Sequence, residues 1–248
     1  MSLTERLEAL RIPLPAGEVV LSDEGDGPPV YWLSAQPPTV DLWQDLHTAH
    51  RETALWPLLV GDTDGGEPWS SGEVYLDGVT SVDDHDPADV LAAWWAEHAE
   101  AAGPYTRWPG FAPAPEHRGD PDRAAGQLAR DLLSHPDFRL CLVAAGRSAD
   151  VLAVSGWDGP VNYEDDTAKY SAVVRTWEDR FGARVVALDG FAVLRMSVGA
   201  PPTTLADAMP LAAEHLAFAP DNGWQDVHPL DRYAESLVDN PQWTFWWD

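Results

Sequence analysis

Cysteine is almost missing from this sequence: Cys141 is the only one. A single thiol excludes an intramolecular disulfide and any zinc or iron–sulfur site built on several cysteines. It lies in Phe138-Arg139-Leu140-Cys141-Leu142-Val143, an apolar strand-like run, and so reads as a buried structural thiol; a nucleophile needs an exposed, electropositive setting. Positive charge is also scarce, with 15 Lys and Arg against 41 Asp and Glu and a formal net charge of −26. Such a charge repels phosphate backbones and anionic lipid surfaces, so neither nucleic acid nor a membrane is expected as a partner. Lys169 is the single lysine, and with abundant Ala, Gly and Pro this resembles the coding bias of a GC-rich genome, which bears on composition rather than function. No run approaches the ~20 apolar residues of a membrane span. Met1 to Arg11 carries Glu5, Arg6 and Glu8 instead of a basic segment followed by an apolar one, so no signal peptide is read and a cytoplasmic location is expected.

Recognisable catalytic and cofactor motifs are missing as well. There is no G-x-G-x-x-G, no P-loop Lys-Ser/Thr and no Gly-x-Ser-x-Gly elbow, which removes the usual dinucleotide, nucleotide and hydrolase signatures. The acidic turn at 22–27 lacks the spaced ligands and terminal Glu of an EF-hand. No cofactor is expected.

Apolar and aromatic residues are plentiful. The hydrophobic fraction is 45%, ordinary for a globular protein, and there are 13 tryptophans, residues favoured in cores and interfaces for their large apolar area and single N–H donor. A chain of 248 residues buries roughly 70–75% of its unfolded surface and needs no covalent staple. The patterning predicts a short helix at 4–10, strands at 18–21, 29–33 and 55–60, and a helix at 39–51 with His47 and His50 on one side. It predicts a strand pair within 72–82 turning at Asp77-Gly78. A helix over 87–101 follows, capped by Asp86 with Pro87 at its first position. This capping accounts for the cluster Asp83-Asp84-His85-Asp86 without a metal. The segment from Pro109 to Gly126 has linker composition and sets a soft boundary near residue 120. The expected units are an N-terminal α/β region over 1–120 and a C-terminal domain over 121–248.

Further on, a helix is expected at 127–133, a strand at 139–145 and a second strand at 151–155 pairing antiparallel with it, because the connection is too short for a crossover. Tyr170, Val173, Val174, Trp177 and Phe181 recur at helical spacing on one stripe, capped by Asp165 or Asp166 and stopped by Gly182. Strands at 184–188 and 191–198 joined by Asp189-Gly190 form a hairpin. Thr204 with Asp207 opens a helix toward Phe218, in which Pro210 predicts a kink or a break into two.

Gly156-Trp157, Asn162, Trp177 through Val186, Glu214-His215, Ala217 through Asn222 and the terminal Trp243-Thr244-Phe245-Trp246-Trp247-Asp248 together resemble a bacterial domain family catalogued as domain of unknown function 4253, over roughly residues 139–248. That label implies no activity, substrate or catalytic residue. The polar members of these motifs place any site in a cleft between the loops at 156–166 and 219–228. His215 with Asp158 or Asp221 would be the candidate acid–base set, a histidine titrating near working pH, and Trp157, Asn162, Asn222 and Trp224 the candidate binding residues. Against this, Glu178 and Arg180 read as surface or helix-end pairs, His215 as a hydrogen-bonded core residue, and Asp221-Asn222-Gly223 as turn chemistry. A metal at Asp221, Asp226, His228 and Asp231 matches no known spacing. The aromatic end reads as the closing strand of the sheet or, if exposed, as an anchor for a partner.

The fold class expected is therefore α+β, with a mixed or largely antiparallel sheet and packed helices. The leading functional reading is an acidic protein-binding module, of immunity or regulatory type, that meets a basic protein. The alternative is a small-ligand enzyme or hydrolase using His215 with Asp158 or Asp221.

Overall fold

The structure is a computed structural model, and it describes the chain apart from residues 62–67, 73, 75, 99–103, 118, 136, 191 and 225–229. Helix α1 (Leu3–Ala9) opens on a capping box, in which Ser2 Oγ accepts from Glu5 N–H and Glu5 Oε2 accepts from Ser2 N–H. Strands β1 (Gly17–Leu21) and β2 (Pro29–Ser34) pair antiparallel. Helix α2 (Val40–Thr53) leads through Ala54 to the fully buried β3 (Trp56–Gly61). A short α3 (Pro68–Ser71) precedes α4 (Pro87–His98), whose cap is the expected one: Ala88 N–H donates to Asp86 Oδ1 at 2.8 Å. Helix α5 (Pro121–Leu132) starts on Asp120, which accepts from Asp122 and Arg123 N–H, with proline at its first turn.

After β4 (Phe138–Val143) come α6 (Val151–Val154) and α7 (Thr167–Phe181), then β5 (Ala183–Asp189) and β6 (Val193–Val198). Helices α8 (Leu205–Phe218), α9 (Asp221–Trp224) and α10 (Leu230–Leu237) bring the chain to β7 (Gln242–Trp246). The seven strands form one open sheet in the order β1-β2-β4-β3-β5-β6-β7, antiparallel except for the β3–β5 pair. The fold is thus α+β with a mixed, mostly antiparallel sheet. Strands from either side of residue 120 alternate within it, since β4 lies between β2 and β3.

Helices cover both faces. Trp43 and Leu46 of α2 and Leu128 of α5 pack with Leu59, Leu140 and Leu142 on one face. Tyr170, Val173 and Trp177 of α7 and Leu211 and Phe218 of α8 pack with Leu58, Cys141 and Val185 on the other. The alternation of Leu140, Cys141 and Leu142 between the two cores is the period-2 pattern of a strand buried on both sides. Fully buried aromatics dominate, among them Trp43, Trp157, Trp177 and Phe245. Each withdraws about 150–250 Å² from water, on the order of 4–6 kcal/mol before entropic costs at about 25 cal/mol per Å². The terminal segment packs inward: Trp243, Phe245 and Trp247 are buried, with Phe245 stacked on Trp177 at 5.3 Å.

Four local expectations need correction. Val151–Val154 form a helix and Ser155 its cap, not a strand: both edges of β4 are already occupied, by β2 and β3, and no third strand can pair there. The turn at Asp77-Gly78 exists, but among the described residues no strand lies in 72–82. The β5–β6 connection has three residues, 190–192, since Asp189 pairs with Val193; Phe191 lies outside the described residues. Pro210 sits within the one helix α8, where it removes a single N–H without dividing the helix. The end expected for the 87–101 helix falls outside the described residues.

Candidate functional site

The loops at 156–166 and 219–222 do converge, and they converge on the chain's own last strand. Asn222 sits in α9 against the outer edge of β7, where its Nδ2 donates to Thr244 O at 2.8 Å and its Oδ1 accepts from Trp246 N–H at 3.0 Å. The side-chain amide thereby does for β7 what a further strand would do. Asp221 continues the edge by accepting from Asp248 N–H at 2.9 Å, and it accepts from Tyr163 Oη at 2.8 Å. Burial, then Asp221 and Asp248, push the Tyr163 hydroxyl up to about 12. Asn162 Nδ2 donates to Asp248 O at 3.1 Å. Trp157 is 1% exposed and meets Trp247 edge-on at 5.4 Å, with Asp158 half-buried beside it. The Trp224 side chain, and Asp226 and His228, lie outside the described residues.

His215 stands elsewhere, on α8 beneath the aromatic core. It has no exposed surface, and its ring is enclosed by Trp177, Tyr233, Trp243 and Phe245. Nδ1 is 3.0 Å from Tyr233 Oη, while Nε2 has no hydrogen-bond partner among the described residues. Burial first, then the Arg180 charge, hold its pKa well below the histidine range, so the ring is neutral. Neither nitrogen bonds a carboxylate among the described residues.

Glu178 and Arg180, read from sequence as surface or helix-end pairs, do form pairs near the end of α7, but each pair includes a buried carboxylate rather than lying at the surface. Arg180 grips the fully buried Glu214 with two bonds, Nη1 to Oε1 at 2.8 Å and Nη2 to Oε2 at 2.5 Å. Ala112 N–H and Trp177 Nε1–H fill the remaining lone pairs at 2.6 and 2.8 Å. This set ties the segment at 112 to α7 and α8. Glu178, also buried, accepts from Ser148 Oγ, from Ala149 N–H at 3.0 Å and from Arg147 Nε at 2.7 Å. Val185 N–H in turn donates to Ser148 Oγ at 3.0 Å, so Glu178 fixes the turn that precedes α6 against β5.

That turn borders a cleft of about 670 Å³ at one end of the sheet. Helix α2 contributes His47, His50 and Arg51, α5 contributes Asp122, the 146–148 turn contributes Arg147, and β5 contributes Arg184. His50 Nε2 is 2.9 Å from Ala145 O, and because a carbonyl only accepts, Nε2 carries the proton. His47 stacks on Trp43 and both histidines meet the Trp56 ring edge-on. Burial is the largest cause lowering the pKa of each; Arg184 repels both as a like charge, and Asp122 opposes the shift. Arg147 is held by Glu178 and Asp179, and Arg51 by Asp122 at 2.8 Å.

A further cluster joins the 80–85 turn to the start of α7. Asp166 caps α7 through Ala168 N–H and accepts from Thr80 N–H at 3.0 Å and Thr80 Oγ1 at 2.7 Å, with His85 Nε2 3.2 Å away. Burial raises the Asp166 pKa, but these hydrogen bonds outweigh it and hold the carboxyl below its usual value. Beyond the cluster the surface is acidic: Asp77, Asp84, Asp86, Asp89 and Glu97 are exposed. Among the described residues no three His, Cys, Asp or Glu side chains are grouped to hold a metal. Nor, among them, is any helix long and apolar enough to cross a membrane.

These features define an acidic α+β protein on one open mixed sheet, its aromatic C-terminal strand held by polar side chains from two loops. Residues 139–248, the latter part of the chain, match the family described as Domain of unknown function (DUF4253). No curated protein and no solved structure matches the chain.

Proposed function

We propose that the protein is a binding module whose acidic surface receives a basic protein partner, in the manner of an immunity-type or regulatory protein. What supports it is the distribution of charge. Between Arg51 and Arg107 the chain has no lysine or arginine and twelve carboxylates. Elsewhere six of the cations, Arg51, Arg147, Lys169, Arg175, Arg180 and Arg195, each pair with a carboxylate of the same chain. The acid surplus around α4 is left facing solvent, where it would accelerate encounter with a basic surface and select against acidic ones. The alternative, an enzyme built on His215 with Asp158 or Asp221, requires a ring with no exposed surface to reach a substrate, and no contact favours it.

The test is affinity capture from extracts of the native host at low and moderate salt, with a variant in which Asp77, Asp84, Asp89 and Glu97 are replaced by Asn or Gln. These four positions are exposed and, among the described residues, their side chains cap no helix, so folding should persist. The expected result is a basic protein retained at low salt, released when screening shortens the electrostatic range to about 8 Å, and lost with the variant. Capture of no salt-sensitive basic protein refutes the proposal.

A further inference from the structure

Three of the clefts differ in one respect. The cleft between α5 and β6–β7, about 470 Å³, presents Asp131, Asp137 and Asp189 against Arg195. The cleft beside Gly199, about 700 Å³, presents Glu116, Asp207 and Asp239 and, among the described residues, no arginine or lysine. The cleft over α2 holds three arginines and two histidines in a molecule carrying −26. Its three guanidinium groups, of Arg51, Arg147 and Arg184, balance its three carboxylates, of Asp122, Glu178 and Asp179, so protonation of either histidine makes it positive.

Pairing within the cleft is uneven. Arg147 and Arg51 are neutralised by their carboxylates. Among the described residues Arg184 has a single hydrogen-bond partner, the carbonyl of Ala183 at 2.8 Å, and no carboxylate. The guanidinium is half-buried at the wall of the cleft, keeps donors available to a ligand, and stands beside two imidazoles that it repels. In His50 the proton on Nε2 is committed to Ala145 O, which leaves Nδ1 to gain a proton and donate. The cavity is within the range that takes a small organic ligand. We infer that this cleft binds a small molecule through an oxyanion group, phosphate or carboxylate, with Arg184 as the main counter-charge and His47 and His50 as donors.

Binding of this kind couples to pH. The charged and titrating groups facing the histidines are Arg51 on their own helix, Asp122, Arg147, Glu178, Asp179 and Arg184. An anion favours the protonated imidazoles, whose values in the free protein lie below the usual one, so binding takes up protons and strengthens as pH falls. Sulfate keeps a constant charge over this range and isolates the protein's share.

The experiment is NMR of the histidine and arginine side chains of the full chain, titrated at matched ionic strength with sulfate, inorganic phosphate and citrate. Saturable shifts of His47, His50 and the Arg184 Nε–H are expected, larger for sulfate at lower pH. Preference between phosphate and citrate identifies which oxyanion the cleft takes. Arg184→Gln should weaken binding about tenfold or more, the share of one charge-assisted hydrogen bond, while Arg232→Gln on the exposed side of α10 should not. The inference is overturned if none of the three anions shifts these signals saturably in the wild-type chain, a readout that needs no variant to fold. Equal affinity of a folded Arg184→Gln chain overturns it too.

Discussion

Glu214→Gln alters one atom of a fully buried group, and its cost can be worked from four distances. In the carboxylate, Oε1 accepts from Ala112 N–H at 2.6 Å and Arg180 Nη1 at 2.8 Å. Oε2 accepts from Trp177 Nε1 at 2.8 Å and Arg180 Nη2 at 2.5 Å. Every neighbour is a donor. Whichever oxygen becomes NH₂ therefore faces one neutral and one charged donor and can accept from neither. Losing a neutral bond of about 0.5–1.5 kcal/mol and a charged one of about 1.5–3 gives about 2–4.5 kcal/mol. Leaving the Arg180 guanidinium without its counter-charge moves the figure toward the roughly 3–5 kcal/mol typical of a broken buried pair. For a chain of this size that lowers Tm by about 6–20 °C, at about 2–4 °C per kcal/mol. Urea unfolding followed by tryptophan fluorescence reads it directly, since Trp177 is one of the orphaned donors. Replacing both partners, Arg180→Leu with Glu214→Leu, should cost less than the single change, because no charge is then stranded. A Glu214→Gln chain within about 1 kcal/mol of wild type would refute this account of the cluster.

Three other outcomes follow from the same geometry. Asn222→Ala removes both bonds to the β7 edge and should cost about 1–3 kcal/mol, with faster hydrogen exchange at the Trp246 amide and a tendency to self-associate through the opened edge; unchanged exchange would contradict the edge role. His215, His47 and His50 have folded-state pKa values below the unfolded value, each chiefly through burial, so the unfolded chain binds more protons in that window. Stability should then be complete above about pH 6.5 and fall below it by up to about 1.4 kcal/mol per pH unit for each histidine, and His215→Leu should remove one histidine's share of that slope. Burial raises the Cys141 thiol well above its usual value, so the native chain should resist a thiol reagent at neutral pH and react fully once unfolded; rapid native labelling would show the strand to be open.

What could be read from sequence was what depends on neighbours along the chain. The stripe from Tyr170 to Phe181, its Asp166 cap and its Gly182 stop involve contacts within a few residues, and Gly182 has the left-handed φ of 60° that a helix-ending glycine favours. The failures came where distant segments decide. Residues 151–155 are apolar enough for a strand, but both β4 edges are occupied and no third strand can pair there. Glu178 and Arg180 look like exposed helix polar residues until Ser148, Arg147 and Glu214 arrive from about thirty residues away. One signal did exist: Glu214 lies in Leu211-Ala212-Ala213-Glu214-His215-Leu216-Ala217-Phe218, and a carboxylate in a helix apolar all round needs a buried cation. His47, His50 and Arg51 likewise share a helical side by spacing, whereas Arg147 and Arg184, which complete their cleft, cannot be joined to them without the sheet order.

The proposed acidic surface and the proposed anion cleft constrain each other. A polyanion approaching the cleft would carry many charges past a surface of the same sign, and repulsion would accumulate with each one beyond the first. A small molecule with one oxyanion group meets that field only once, and inside the cleft it would contact Arg184 directly, whereas the field of solvent-facing carboxylates is screened over a Debye length of about 8 Å. The same arithmetic separates the two proposals experimentally. Neutralising Asp77, Asp84, Asp89 and Glu97 should abolish capture of a basic protein yet leave sulfate binding in the cleft unchanged or slightly stronger. Arg184→Gln should do the reverse. If either variant removed both behaviours while still folded, the two surfaces would be one site, and the separation argued from their charges would be wrong.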